Sequence, residues 1–273
     1  MTGDFTEETA TEAVINSFAR TEDPRLREIL ASFTRHLHGF VRDVEPTQAE
    51  WEAAIGFLTA VGAMCDEKRQ EFILLSDVMG VSMLVDAINN RTPAGTTEST
   101  VLGPFHVVTS PQRELGDDLA DVSEGERVLV RGRVLSLDGE PIARAQVDVW
   151  HADADGFYDV QKDDTPDQDL RGLFTTDAEG RFWFRTVLPS HYPIPDDGPV
   201  GDLLRRTSRH PYRPAHIHLI AGAAGHRPIT THLFIEGSPY LDDDTVFGVK
   251  QSLIRPVTVE GDGKAIDFDV TLA

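Results

Sequence analysis

Apolar residues change their spacing part-way along the chain. From about residue 6 to 90 they recur at helical intervals, most clearly at Leu26, Leu30, Phe33, Leu37, Phe40 and Val41. That spacing puts them on one face of an amphipathic helix, and Asp23-Pro24 in front supplies a cap and a proline suited to a first turn. Thr47-Gln-Ala-Glu50 has the capping-box pattern and predicts a second helix, with Trp51, Ile55, Leu58 and Val61 along one face. A third helix is expected over about Phe72 to Asn89.

The stretch NNRTPAGTTEST, residues 89 to 100, gathers turn-forming residues, and beyond it helical spacing gives way to short alternating runs. Strands are expected over Arg127–Leu135, Gln146–Trp150, Arg181–Thr186, Ala215–Ala221, Ile229–Ile235 and Ile266–Leu272, with Asp138-Gly139 among the turn signals. The pattern predicts an α+β chain, with a helical domain over 1–95 followed by an antiparallel β-sandwich domain over 96–273.

Composition changes this picture in two ways. The 273 residues are 40% hydrophobic and 26% charged, ordinary for a globular protein, but the net charge of −21 is not. Such a surface repels phosphate backbones and anionic lipid, which argues against nucleic-acid binding. The single cysteine, Cys65, excludes an intramolecular disulfide and any thiolate cage, so a metal here must use nitrogen and oxygen ligands. A cytoplasmic location is expected, because the N-terminal MTGDFTEETATEAV lacks the basic and apolar regions of a signal peptide. No membrane span is expected either, since Asp77 and Asp86 interrupt the apolar run Phe72 to Ile88. The acidic run Asp242-Asp243-Asp244 reads as a solvated loop.

The candidate chemistry starts at RPAHIHLI, residues 213 to 220. Residues two apart in a strand share a face about 7 Å apart, so His216 and His218 can converge on one ion or simply be polar strand residues. Further ligands would be carboxylates or phenols. The chain has four tyrosines, Tyr158, Tyr192, Tyr212 and Tyr240, and spacing does not choose among them. Tyr158 lies in HADADGFYDV, after an expected strand, and Tyr192 in LPSHYPIPDDGPVG, a loop stiffened by Pro189, Pro193 and Pro195. A ferrous site of two histidines and one carboxylate is the inorganic alternative. Asp153-Ala-Asp155-Gly156 begins like a calcium loop but lacks the later ligands, including a closing glutamate.

Four segments taken together, ESTVLGPFHV, VDVWHADADGFYDVQ, LRGLFTTDAEGRFWFRTVLPSHYPIPDDGPVG and RPAHIHLI, resemble the intradiol ring-cleavage dioxygenases, and among them the hydroxyquinol-cleaving members. The resemblance covers nearly the whole chain. It implies a helical linker and dimerisation domain before a β-sandwich catalytic domain, a homodimer, and a phospholipid at the dimer interface. It also implies one Fe(III) per subunit held by Tyr158, Tyr192, His216 and His218, with Tyr192 leaving when substrate binds and accepting a substrate proton. Arg213 would stabilise charge on the ring, and His232 would stand beside the iron site. The implied pocket comprises Leu74, Asp77, Val101, Leu102, Gly103, Pro104, Phe105, Ile194, Pro195, Arg213 and Val246.

Asp77 stands out because a carboxylate inside LLSDVMGVSMLV costs free energy unless it is paired or exposed. It either meets a third substrate hydroxyl or lies on a solvent-facing helix side. The implied reaction joins O2 to benzene-1,2,4-triol and yields 3-hydroxy-cis,cis-muconate, which tautomerises to maleylacetate. Catechol and chlorocatechols are alternative substrates. VLSLDGEPIARAQVDVW also resembles prealbumin-like domains, which makes a non-catalytic binding module the alternative from another class.

Overall fold

A computed structural model describes residues 4–66, 69–106, 110–162 and 168–273. Val107, the last residue of ESTVLGPFHV, lies outside them. The chain divides into two compact units, 1–59 and 60–273.

The first unit is built on α1 (Ala10–Ser17), α2 (Pro24–Val44) and the first three turns of α3 (Gln48–Ala63). Asp23 caps α2, its carboxylate accepting the N–H groups of Arg25 at 2.8 Å and Leu26 at 3.2 Å. The capping box before α3 forms as expected: Thr47 donates N–H and hydroxyl to Glu50 at 2.8 Å, and Glu50 N–H returns a bond at 3.3 Å. Arg42 joins α2 to the start of α1 by donating to Glu7 O and Thr11 Oγ1.

The second unit opens with α4 (Glu71–Val78) and α5 (Val81–Asn89). The single helix expected over 72–89 is therefore two, because Gly80 adopts φ +71°, a left-handed conformation that ends α4. These helices fold onto the strand-rich part. Ser99 donates to Asp86 at 2.8 Å, and buried Glu71 accepts the Val200 N–H at 3.2 Å. The change of texture at 89–100 thus marks a change of secondary structure, while the compact unit begins at residue 60.

The remaining elements are β1 (Arg127–Ser136), β2 (Gln146–His151), β3 (Arg171–Thr175), β4 (Arg181–Val187), β5 (Tyr192–Pro193), α6 (Pro199–Arg206), β6 (Tyr212–Arg213), β7 (His216–Gly222), β8 (Ile229–Ile235), β9 (Ile254–Arg255), β10 (Thr258–Glu260), β11 (Gly263–Asp267) and β12 (Val270–Leu272). In one sheet β1 pairs antiparallel with β4 and parallel with both β11 and β12, and β10 pairs with β11. The other runs β3-β2-β7-β8-β9 and is antiparallel except for β8 with β9. The sheets are mixed, which corrects the antiparallel expectation. Alternation reveals which face of a strand is buried, whereas the direction of its neighbour depends on the connection.

The strand expected over 266–272 is also interrupted. At the break Phe268 N–H donates to Arg131 O, and the Asp269 carboxylate accepts Arg133 N–H. Gly132 passes so near that a Cβ there would lie 1.9 Å from the Phe268 carbonyl oxygen.

The core lies between the two sheets. Val128, Val130 and Val134 of β1 and Phe182 and Phe184 of β4 meet Val147, Val149, Phe174, Ile217, Leu219 and Leu233 of the other sheet. Because strand side chains alternate, His216 and His218 point from the opposite face of β7, yet both are buried.

Candidate metal centre

A single row crosses four strands on that outer face. Arg171 of β3 is opposite Trp150 of β2, Trp150 is opposite His218 of β7, and His218 is opposite His232 of β8. All four side chains are buried. Trp150 stacks on the His218 ring, with centroids 4.6 Å apart and planes 11° apart, while His232 meets the ring edge-on from another side at 4.2 Å. Gly103 completes the enclosure at φ +78°, and a Cβ there would meet His218 Cε1 at 2.9 Å.

Hydrogen bonds then determine which ring nitrogens are free. His216 Nδ1–H donates to Pro214 O at 2.7 Å, since a carbonyl can only accept, and this leaves Nε2 as a lone pair. His218 Nδ1 lies 2.7 Å from His232 Nε2, and His232 Nδ1 lies 2.8 Å from Thr100 Oγ1. With His218 Nε2 left for a ligand bond, protons run outward: His218 donates to His232, which donates to Thr100. Burial holds the pKa of all three histidines well below the imidazole value, so the rings are neutral, as ligation requires.

The two phenols arrive from separate loops. Tyr158 precedes the turn Asp159–Gln161, where its N–H donates to Gln161 Oε1 at 2.9 Å. Asp159 is held by a buried two-point ion pair with Arg171, at 2.7 and 2.5 Å. Phe105 stacks on Tyr158 at 4.5 Å. Tyr192 sits in the two-residue ladder of β5 with β6, opposite Arg213. Tyr158 is thus gripped by a buried ion pair on its neighbour, whereas the backbone of Tyr192 is held by a short ladder.

The donor atoms converge. His216 Nε2 and His218 Nε2 are 3.1 Å apart, His218 Nε2 is 3.1 Å from Tyr158 OH, and Tyr158 OH donates to Tyr192 OH at 3.3 Å. Two imidazole lone pairs facing each other repel unless a cation or a proton lies between them. Burial pushes the Tyr158 phenol well above its usual range, with Tyr192 adding to this and Arg213 and Arg171 opposing it. A bound cation would relieve both penalties, so two imidazoles and two phenols suit a hard metal ion.

The ring nitrogens of His216, His218 and His232 lie within 4.8 Å of one another, which by distance alone would nominate a three-histidine site. His232 Nε2, however, engages the Nδ1 side of His218 rather than the face toward Tyr158. His232 orients His218 and is poorly placed to be a ligand itself.

Arg213 Nη1 lies 3.2 Å from His216 Nε2. Burial disfavours its charge, but Asp244, with Tyr192 and Tyr158 adding to it, outweighs burial and raises its pKa. The expected pocket residues other than Leu102 line one narrow cavity beside Tyr192. Leu102 is 43% exposed and does not line it. Asp77, 6% exposed, faces the cavity rather than solvent. Burial raises its carboxyl pKa, against the Ser82 hydroxyl and Arg213.

The chain matches a family model described as "Dioxygenase" over residues 102–273 and one described as "Catechol dioxygenase N terminus" over 23–97. It is 55% identical to a hydroxyquinol 1,2-dioxygenase of Rhizobium sp. over 92% of this chain and 86% of that one. The chain belongs to the intradiol ring-cleavage dioxygenases. It is also 50% identical to a 6-chlorohydroxyquinol 1,2-dioxygenase of Cupriavidus pinatubonensis, covering 98% of each. A hydroxyquinol 1,2-dioxygenase of Pseudomonas putida superposes with a TM-score of 0.93 at 43% identity, covering 97% of this chain and 98% of that one. No helix of the described residues is long and apolar enough to cross a membrane.

Several residues of this dioxygenase's site escape sequence reasoning. Thr100, Trp150, Asp159 and Arg171 lie within the family segments, but spacing gives them no role; strand pairing sets Trp150 and Arg171 in the row, and side-chain hydrogen bonds bring Thr100 to His232 and Asp159 to Arg171. Asp244 corrects an expectation: the run 242–244 reads as solvated, yet Asp244 is 6% exposed and pairs with Arg213.

His151, next to Trp150, offers a pH test. Its Nδ1–H donates to Ala152 O and its Nε2 accepts from Thr186, and burial lowers its pKa to about 4. The unfolded chain binds a proton near pH 6.5 that the folded one refuses until about 4, so stability is greatest above 6.5 and declines as pH falls through that window. The shift corresponds to about 3 kcal/mol. Urea midpoints from pH 7 to 4 should fall less steeply for His151→Gln than for the parent; parallel slopes would reject this assignment.

Proposed function

We propose that this dioxygenase cleaves hydroxyquinol, benzene-1,2,4-triol, with O2 between its adjacent oxygenated carbons, giving 3-hydroxy-cis,cis-muconate and its tautomer maleylacetate. Asp77 carries the reading. It is a buried carboxyl on the wall of the cavity that also holds Tyr192 and Arg213, placed to meet a third ring hydroxyl that catechol lacks. Relatives named for hydroxyquinol cleavage support the choice.

The ligands of the reading are Tyr158, Tyr192, His216 and His218, holding one Fe(III) per subunit. Ferric iron, when bound, supplies Lewis acidity that makes the chelated diol reactive toward O2. Tyr192, the less firmly anchored of the two, would hold the iron as a phenolate and, freed by the substrate, would accept one of its protons. Tyr158 stays, held through Asp159 and Arg171. Arg213 stabilises negative charge on the ring from the His216 side, and His232 keeps His218 in the ligating tautomer. Phe105 and Ile194 exclude water from the reacting face.

The helical face of α2 fits a homodimer contact. Phe33 is 61% exposed and Phe40 59%, an apolar stripe larger than isolated surface residues explain, and such a stripe also suits a phospholipid chain. One thiol, Cys65, suits a reducing cytoplasm.

Three outcomes check this reading. The kcat/KM for the triol should exceed that for catechol and 4-chlorocatechol, and Asp77→Leu should erase the preference by about tenfold or more, the worth of one hydrogen bond to a charged group. A catechol preference in the parent would reject the substrate. His218→Ala should lose both iron, by metal analysis, and the visible tyrosinate-to-iron band; full iron content in that variant would reject the ligand set. Sedimentation should give twice the 30.1 kDa chain mass.

A further inference from the structure

We infer that Asp244 is a positioning residue for the reaction, fixing the direction in which Arg213 presents its guanidinium to the site. The inference rests on the role given above to Arg213. Asp244 Oδ1 accepts from Arg213 Nε at 3.2 Å and Val246 N–H at 3.3 Å, and Oδ2 accepts from Arg213 Nη2 at 3.3 Å and Gly248 N–H at 2.9 Å. Both oxygens therefore divide their lone pairs between the guanidinium and the backbone of 246–248. A guanidinium is planar and rigid, so holding its Nε–Nη2 edge determines where Nη1 points. Nη1 is the nitrogen 3.2 Å from His216 Nε2.

The surroundings are shaped for this contact. Arg213 and Asp244 are 2% and 6% exposed. Gly248 leaves room for the pair, since a Cβ there would lie 3.0 Å from Arg213 Nη2 and 3.1 Å from Asp244 Oδ2. The backbone bonds accepted by Asp244 also shape the loop that brings Val246 to the cavity wall. Asp77 is the competing carboxylate, on the same cavity and close enough for Arg213 to act on its charge. With Asp244 neutralised, the guanidinium is drawn toward Asp77, which removes it from the ring and occupies the group that meets the third hydroxyl.

The test is a double-variant cycle on the iron-loaded enzyme with benzene-1,2,4-triol. Asp244→Asn keeps the shape and can still accept one of the two backbone N–H bonds through its amide oxygen. It should retain iron and the resting tyrosinate band but lose about tenfold to hundredfold in kcat, the scale of a misplaced catalytic group. In the Arg213→Ala background the same change should add nothing. An equal loss in both backgrounds, or no loss from Asp244→Asn, overturns the inference. Asp244→Glu, which keeps the charge and displaces it by one methylene, decides the matter if Asp244→Asn does not fold. It should retain iron and fall below the parent in kcat, and parental kcat would overturn the proposal. Arg213→Ala turning over at the parental rate would instead refute the role of Arg213, and the inference with it.

Discussion

Everything at the centre depends on a strand that is buried on both faces. Ile217 and Leu219 of β7 pack into the core between the sheets, and that packing determines the register of the strand. His216 and His218, on the other face, inherit their positions from it. A slip of one residue would send both imidazoles into the core and two aliphatic side chains into the site. The candidate metal centre is therefore positioned largely by hydrophobic packing on the other face of the strand. Its own hydrogen bonds, to Pro214 O and His232, adjust only ring orientation and tautomer.

Two buried ion pairs complete the arrangement, and each involves or adjoins a residue of the candidate site. Asp159–Arg171 anchors the turn that follows Tyr158, and Asp244 holds the guanidinium of Arg213, which lies beside His216. Removing charges from water is expensive, and such pairs often stabilise a fold little against apolar replacements. Their location supplies another reason for them, since a two-point carboxylate–guanidinium contact fixes direction as well as distance. The contrast between the phenols follows from the same source. Tyr158 has an ion pair beside it, whereas Tyr192 relies on a two-residue ladder and proline-stiffened loop.

The acidic composition takes a different meaning once placed in space. Most of the excess carboxylates lie at the surface, where they favour solubility. Asp77, Asp159 and Asp244 are buried and each has a cationic or hydroxyl partner. Glu71, Asp153 and Asp169 are buried too, and net charge cannot separate buried carboxylates from exposed ones, because it records number without position.

Local sequence was sufficient for features that depend on near neighbours. The caps at Asp23 and Thr47, the helical stripes, the turn signals and the shared face of His216 and His218 all involve residues a few positions apart, so spacing encodes them. The family motifs extended this to the four proposed ligands and to most of the residues that line one cavity. Only the tertiary structure decided matters that join distant segments. It broke the 72–89 helix at Gly80, ran β11 and β12 parallel to β1, turned Asp77 inward, left Leu102 outside the cavity and buried Asp244 against Arg213. The physical reason is that burial and strand direction belong to the packed chain as a whole. An aspartate in an acidic run looks solvated until an arginine thirty-one residues earlier in the chain meets it in a space that excludes water.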